Sequence, residues 1–256
     1  MLTNEIYKLA NKYKRYGYRM ITAKLRQAGW VVNHKRVQRI WQKEGLQVPY
    51  RRKFKKAKGS SDNSCSVKKA EFINHVWTYD FISDQTEDGG GLKLLTVLDE
   101  FTRESPAIEV GRSIRAKDVI SVLQYLFMVR GVPKFIRSDN GPEFIADAIK
   151  KWLEDKGVET LYIEPGSPWE NGYVESFNGK FRDEVLNREV FYSVKEAKVI
   201  VENWRLEYNN HRPHSSLGYM SPAAFAASCI PSASPTAQPQ EYRTRNMNNS
   251  LIVYGT

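Results

Sequence analysis

The chain has 256 residues, 41% of them hydrophobic, so a catalytic domain and a small accessory one fit within it and wholesale disorder is excluded. No window nears the roughly 18 consecutive apolar residues of a membrane helix. Two lone cysteines, Cys65 and Cys229, exclude a disulfide framework or a four-cysteine zinc site and suit a reducing cytoplasm.

The net charge of +10 is unevenly spread: residues 1–72 hold 19 Lys and Arg against 4 Asp and Glu, and residues 73–256 hold 20 against 25. A basic leader on a mildly acidic body reads as a polyanion-gripping module joined to something else. Residues 1–17 carry three lysines, one arginine and no long apolar run, which is not a signal-peptide pattern. Leu2, Ile6, Leu9 and Tyr13 at helical spacing predict a helix over Met1–Tyr16, broken by Gly17. A second short helix, Ile21–Ala28, ends at Gly29. Asn33 is a natural N-cap for a third, His34–Glu44, with Val37, Ile40 and Trp41 on one face. Its other face shows Lys35, Arg36, Arg39 and Lys43. Three short helices with a cationic last one match a helix-turn-helix over residues 1–47, whose final helix enters the major groove of DNA. The bland alternative is a small bundle with a soluble face, and the charge balance favours DNA. Residues 48–73 hold six cations between Arg51 and Lys58, then a polar run without periodicity. They read as a basic flexible linker in which Arg51 and Arg52 track phosphates, or as a plain tether.

From His75 the texture changes. Aromatic and β-branched alternation predicts strands over Val76–Ile82, Leu92–Leu98 and Glu104–Val110, joined by tight turns as an antiparallel meander. Then come a helix (Ala116–Arg130), a strand (Lys134–Ser138), a helix (Phe144–Lys156), a strand (Glu159–Ile163) and helices over Asn171–Arg182 and Ser193–Tyr208. The fold class is α/β, a mixed five-stranded sheet with flanking helices over residues 74–228, preceded by a small all-α domain. Residues 229–256, rich in Ser, Pro, Gln and Asn, read as a disordered tail, with Leu251–Tyr254 a short strand that finds no place.

Two carboxylates stand out in residues 134–182. Asp139 ends a short apolar run and precedes Asn140, Gly141 and Pro142, so it sits at a sheet edge. Glu175 shares one helix face with Asn171, Asn178 and Arg182, at separations of 4, 3 and 4 residues. Asp80 supplies a third acid, a charge inside a strand that is costly to bury without a partner. In a mixed sheet its strand and that of Asp139 can be neighbours, and close carboxylates repel unless a cation lies between them. Oxygen-only ligation suits Mg²⁺ or Mn²⁺, and two such ions about 3.5–4 Å apart serve phosphoryl transfer. Position alone leaves the bland reading open, because acids such as Asp99, Glu100, Glu143, Asp147 and Glu170 also sit near element ends, where caps and solvated surface are common.

Five segments carry a resemblance: WTYDF at 77–81, LDEFTRE at 98–104, FIRSDNGPEF at 135–144, SPWENGYVESFNGKFRDE at 167–184 and RPHSSLGYMSPAAF at 212–225. They resemble the integrase-core transposases of bacterial insertion sequences, most closely the second-frame (orfB) proteins of the IS3 family. Asp139 and Glu175 have 35 residues between them, the spacing that names that family's D,D(35)E triad. Arg182 matches the basic residue the family carries two helical turns after the glutamate, and YGYRMITAKLRQAGWVVNHKRVQRIW is similar to its helix-turn-helix. The resemblance implies a ribonuclease H-like core with Asp80, Asp139 and Glu175 as catalytic residues and ligands of two Mg²⁺ or Mn²⁺ ions. It implies metal-dependent cleavage at the ends of an insertion sequence and strand transfer into target DNA, with Asn171, Asn178 and Arg182 on the terminal DNA. It further implies a homo-oligomeric active complex, the upstream-frame protein or a frameshift fusion with it as a partner, and a bacterial cytoplasm with nucleoid association. Neither the upstream helix-turn-helix nor the leucine zipper of such fusions is in this chain, and His211 and His214, which look like a metal pair, read as structural in the RPHSSLG segment. Two other outcomes stay open from sequence: a catalytically silent DNA-binding remnant and a plain endonuclease of the same fold.

Overall fold

The computed structural model describes residues 1–48, 68–138, 143–162 and 172–230. The basic linker from 49 to 67, the tail from 231 and the Leu251–Tyr254 stretch lie outside these. The N-terminal helices are α1 (Leu2–Lys12), α2 (Tyr18–Gln27) and α3 (His34–Lys43), closed on a core of Ile6, Tyr16, Ile21, Leu25, Val37 and Trp41. Asn33 caps α3, its Oδ1 accepting from Lys35 N at 3.0 Å. The first two helices differ from their predicted bounds. α1 stops at Lys12 because Tyr13 leaves the helical region, stacks on Tyr16 at 4.5 Å and gives its hydroxyl to Glu207 at 3.0 Å. Gly17 does not merely break the first helix; it is the extended N-cap of α2, which starts at Tyr18 rather than Ile21.

The core is a five-stranded sheet in the order β3-β2-β1-β4-β5. β1 (Val76–Gln85), β2 (Gly91–Asp99) and β3 (Ala107–Gly111) form the antiparallel meander. β4 (Phe135–Ser138) runs parallel to β1, with Thr78 opposite Arg137, and β5 (Glu159–Tyr162) runs parallel to β4. β3 begins at Ala107, not Glu104. The Asp99 carboxylate accepts from the amides of Phe101 and Thr102, Asp99 N donates to the Glu104 carbonyl, and Pro106 has no amide hydrogen for a ladder, so residues 99–106 close as a loop.

Side chains alternate across the strands and sort the sheet into two faces. Trp77, Tyr79, Leu95 and Val97 pack against Val119 and Leu123 of α4 (Ala116–Arg130) and Ile149 and Leu153 of α5 (Glu143–Asp155). Ile82, Leu94, Leu98 and Val110 pack against Phe177 and Phe181 of α6 (Gly172–Phe181) and Val201 and Tyr208 of α7 (Val194–His211). Burying each of those phenylalanines stabilises the face by roughly 1.5–3 kcal/mol, so α6 is held firmly over β1 and β2. A π-helical turn, Arg182–Leu186, continues α6. α8 (Pro222–Cys229) is an addition to the predicted elements; Ser221 caps it and Pro222 occupies its first turn, a signature legible in SPAAF. The N-terminal helices touch this side of the core through Arg15–Asp183 at 2.7 Å and Lys24 Nζ on the His211 carbonyl at 3.2 Å. Among the described residues no helix is long and apolar enough to cross a membrane.

Candidate active site between β1 and α6

Asp80 lies in the middle of β1. The period of two puts it on the face shared by Ile82, under α6, where it is half-buried. Asn178 of α6 reaches down to it, Nδ2 donating to Asp80 Oδ2 at 2.7 Å, while Phe81 N donates to Oδ1 at 2.7 Å. The other end of the same amide, Oδ1, accepts from the Thr96 hydroxyl at 3.0 Å, and that hydroxyl also lies 3.2 Å from the Asp80 carbonyl. Thr96 is the β2 residue directly opposite Asp80. Both ends of the Asn178 amide are therefore engaged, and the Asp80 carboxylate is fixed from the helix above and the strand beside it.

Glu175 is three residues before Asn178, roughly 4.5 Å along the helix and on the same face. It is exposed. Four residues after Asn178, Arg182 donates from Nη2 to the Ser83 carbonyl at 3.2 Å. Asn178 of α6 and Arg182 of the turn that continues it thus lie on β1, with Glu175 exposed one turn before Asn178. An oxygen-rich edge of this kind has the donor chemistry for a hard divalent cation. Among the described residues no group of three or more His, Cys, Asp or Glu gathers as a metal cluster. Asp139, Asn171, Arg51 and Arg52 lie outside the described residues; β4 is described up to Ser138, the residue before Asp139.

The structure adds two features to the sequence picture. Asn178, expected on DNA, is bound to Asp80 and Thr96. Thr96 carries no signal in the sequence, because its place depends on strand register, which spacing does not reveal. Two of the competing acids, Asp99 and Glu100, have structural work instead. Asp99 caps its loop and also accepts from Asn74 N at 2.9 Å. Glu100 is buried against Arg137 at 2.9 Å, and its burial pushes the carboxyl up against the pull of that guanidinium. His211 is exposed and His214 buried.

The cationic residues of α3 are far simpler. Lys35, Arg36, Arg39 and Lys43 are all exposed, opposite the buried Val37 and Trp41.

Comparison with known proteins gives three domain matches. An HTH-like domain matches residues 2–54, and two integrase core domain models match residues 73–168 and 156–222. The chain is 39% identical over 250 residues to the insertion element IS476 uncharacterized 39.2 kDa protein of Xanthomonas euvesicatoria, covering 98% of this chain and 68% of that protein. It is 25% identical over 222 residues to the transposase InsF for insertion sequence IS3A of Escherichia coli, covering 83% of this chain and 77% of that one. The fold matches a chain of the simian T-cell lymphotropic virus intasome with a TM-score of 0.50 at 14% identity, over 98% of this chain and 80% of that chain. A helix-turn-helix-like domain joined to an integrase core implies DNA binding. The chain belongs to the IS3 family of insertion-element transposases, in its second-frame (orfB) type, with an integrase core of ribonuclease H-like fold.

Proposed function

We propose that this transposase cuts DNA at the ends of its insertion sequence and joins the freed ends to target DNA, with Asp80, Asp139 and Glu175 holding Mg²⁺ or Mn²⁺. The single observation that carries the reading is the Asn178 amide clamped on Asp80 from the helix face that bears Glu175. A strand carboxylate fixed by a neighbour and faced by a second acid fits a hard cation, since both supply oxygen donors only. When bound, such an ion activates the attacking oxygen and stabilises charge on the leaving one.

The protein's own residues do the rest. Asp80 and Glu175 hold their oxygens toward a common edge, and Asp139, next in the chain after the last described residue of β4, is the third donor. Asn178 holds the Asp80 carboxylate in orientation. Arg182, in the turn that continues the helix, carries the positive charge for a DNA phosphate, and Asn171 is a further candidate for that DNA from its sequence spacing alone. In the first reaction water attacks the phosphorus at the element's end; a P–O bond to the water oxygen forms, the P–O3′ bond breaks, and a 3′-hydroxyl is freed. In the second, that hydroxyl attacks a target phosphorus and the target's own P–O3′ bond breaks, so one phosphodiester replaces another without external energy. Lys35, Arg36, Arg39 and Lys43 of α3, with Arg51 and Arg52, would grip the duplex, and a homo-oligomer or the upstream-frame protein would bring two ends together.

A donor-end duplex incubated with supercoiled plasmid and Mg²⁺ tests the proposal. Joined products support it. Nicks alone would reassign the chain as an endonuclease, and a gel shift without turnover would make it a silent DNA-binding remnant.

A further inference from the structure

The opposite side of α6 has a different character. Asn178 reaches β1 and Glu175 is exposed three residues before it, while Tyr173, Ser176 and Lys180, three and four residues apart, line a cavity of about 470 Å³ beside the loop after β2 and the segment after α7. Arg103 and Lys69 add two more cations to its wall, His214 adds an imidazole, and among the described residues no Asp or Glu lines it. The cavity gives a joint location to two stretches of sequence, LDEFTRE and RPHSSLG, that the cutting reaction does not use.

Its polar groups are incompletely satisfied. Arg103 sits in the left-handed backbone region at φ 63°, with its guanidinium carbon 3.7 Å over the Tyr173 ring, and its Nη1 is buried without a hydrogen-bond partner among the described residues. His214 is only 5% exposed, and its Nε2 likewise has no partner among the described residues. Lys180 reaches the Ser176 hydroxyl at 2.8 Å and carbonyl at 3.1 Å, but no carboxylate of the described residues. Glu184, the acid that acts on Lys180, is already chelated by Arg212 through bonds of 2.6 and 3.0 Å and takes the Trp204 indole at 3.2 Å. An unsatisfied buried donor is costly, and cations gathered with their nearest acid already taken up by Arg212 repel one another. A tetrahedral oxyanion relieves both at once, because its oxygens accept from Arg103, from Lys180 and from the Nε2–H tautomer of His214. Burial first, then the charges of Arg212, Lys180 and Arg103, pushes the His214 imidazole down to about 3, so it stays neutral and able to donate through one nitrogen.

We propose that this cavity is a phosphate-binding site on the reverse side of α6 from the carboxylates, holding one phosphate group through Arg103, Lys180 and His214. The phosphate belongs either to a DNA backbone or to a free phosphate ion. The DNA source rests on the DNA-joining function proposed above; the free ion does not.

Calorimetric titration of the full chain with inorganic phosphate, in chloride buffer, reads the free ion. The salt dependence of binding to a donor-end duplex reads the backbone. The variants are Arg103→Gln and Lys180→Gln, with Lys180→Arg as a charge-conserving variant and thermal melts to verify folding. A charge-assisted hydrogen bond of about 1.5–3 kcal/mol translates to a roughly 10- to 100-fold loss of phosphate affinity in each Gln variant, restored in Lys180→Arg. Should DNA be the source, each Gln variant also lowers the slope of log K against log salt by about one. Phosphate loss with unchanged DNA slopes assigns the site to the free ion, and changed slopes without free-ion binding assign it to DNA. If folded Gln variants alter neither reading, or phosphate binds them as it binds the parent chain, the proposal is overturned. Glu175→Gln keeps the two hypotheses apart: a variant that still joins DNA sinks the cutting assignment and leaves phosphate binding as it was.

Discussion

The exposed face of α3 and the underside of α6 both display polar side chains on a helix, yet they are built in opposite ways. Lys35, Arg36, Arg39 and Lys43 stand in solvent on a face whose reverse merely fills a small core. Asp80, Asn178 and Thr96 are tied to one another between a helix and two strands. A surface that grips any stretch of backbone needs charge and reach, and solvent costs it little. A site that must hold a reacting phosphate needs orientation, so its groups are fixed in advance by neighbours. On the proposed function the difference separates binding from chemistry, and each half can be broken without the other.

The sharpest break is at the carboxylates. If the proposed site is right, Glu175→Gln or Asp80→Asn removes a charge that would hold the metal while keeping shape, and loss of about 4 kcal/mol of transition-state stabilisation lowers joining on the order of 10³-fold. Gel-shift affinity for the donor end should stay unchanged; joining at the parental rate would remove these residues from the site. One shell out, Asn178→Leu leaves Asp80 without its 2.7 Å donor. The expected loss is about 10- to 100-fold in metal affinity or rate, read as a shift of the Mg²⁺ requirement to higher concentration. If only DNA affinity falls and the Mg²⁺ dependence stays put, Asn178 serves DNA, as its place in the sequence suggests. On the binding half, replacing Lys35, Arg36, Arg39 and Lys43 by Gln should flatten the salt dependence by about one for every phosphate no longer neutralised. An unaltered slope would show that α3 does not lie on the duplex.

How much of this is readable from the sequence depends on how far apart the partners are in the chain. Asp80 is conspicuous because a charge in a strand interior is a local anomaly, and Asn33 because caps act over a few residues. The mixed sheet follows from alternation and turn chemistry. The end of α1 does not, because Tyr13 leaves the helix to meet Glu207, a residue 194 positions away. The role of Thr96 needs the β1–β2 register, and the Arg103–Lys180–His214 cavity needs three distant segments packed together. Periodicity carries no information on such meetings. Asn178 falls between the cases: its helix face is legible and its partner is not.

His214 gives a smaller, pH-dependent contrast. Its imidazole, ordinarily at 6.5, is pushed down to about 3 in the folded chain. Between those values the unfolded chain takes up a proton that the folded one refuses, so the stability fully present above pH 6.5 is lost progressively as pH falls toward 3. The slope from this group is at most about 1.4 kcal/mol per pH unit. Urea unfolding at pH 7, 6 and 5 should therefore show a shallower decline for His214→Gln than for the parent chain, even if the variant starts lower through loss of the edge-on packing with Tyr208 at 4.9 Å. Equal declines would mean that the imidazole is not held neutral.

The smallest effect bears on whether the two halves move as one. Arg15, in the turn between α1 and α2, pairs with Asp183, in the turn that continues α6, at 2.7 Å, with side-chain exposures of 21% and 27%. A partly solvated pair of this kind contributes about 0.2–1 kcal/mol, too little to hold two bodies together against their own motion. Tyr13 on Glu207 and Lys24 on the His211 carbonyl reinforce it. A double-mutant cycle of Arg15→Ala and Asp183→Ala, read by urea unfolding, should give a coupling of that size and a single cooperative transition for every member. A coupling near zero, together with two separate transitions, would instead make the DNA grip an independent module, whose charge reaches the cutting edge only through the DNA they share.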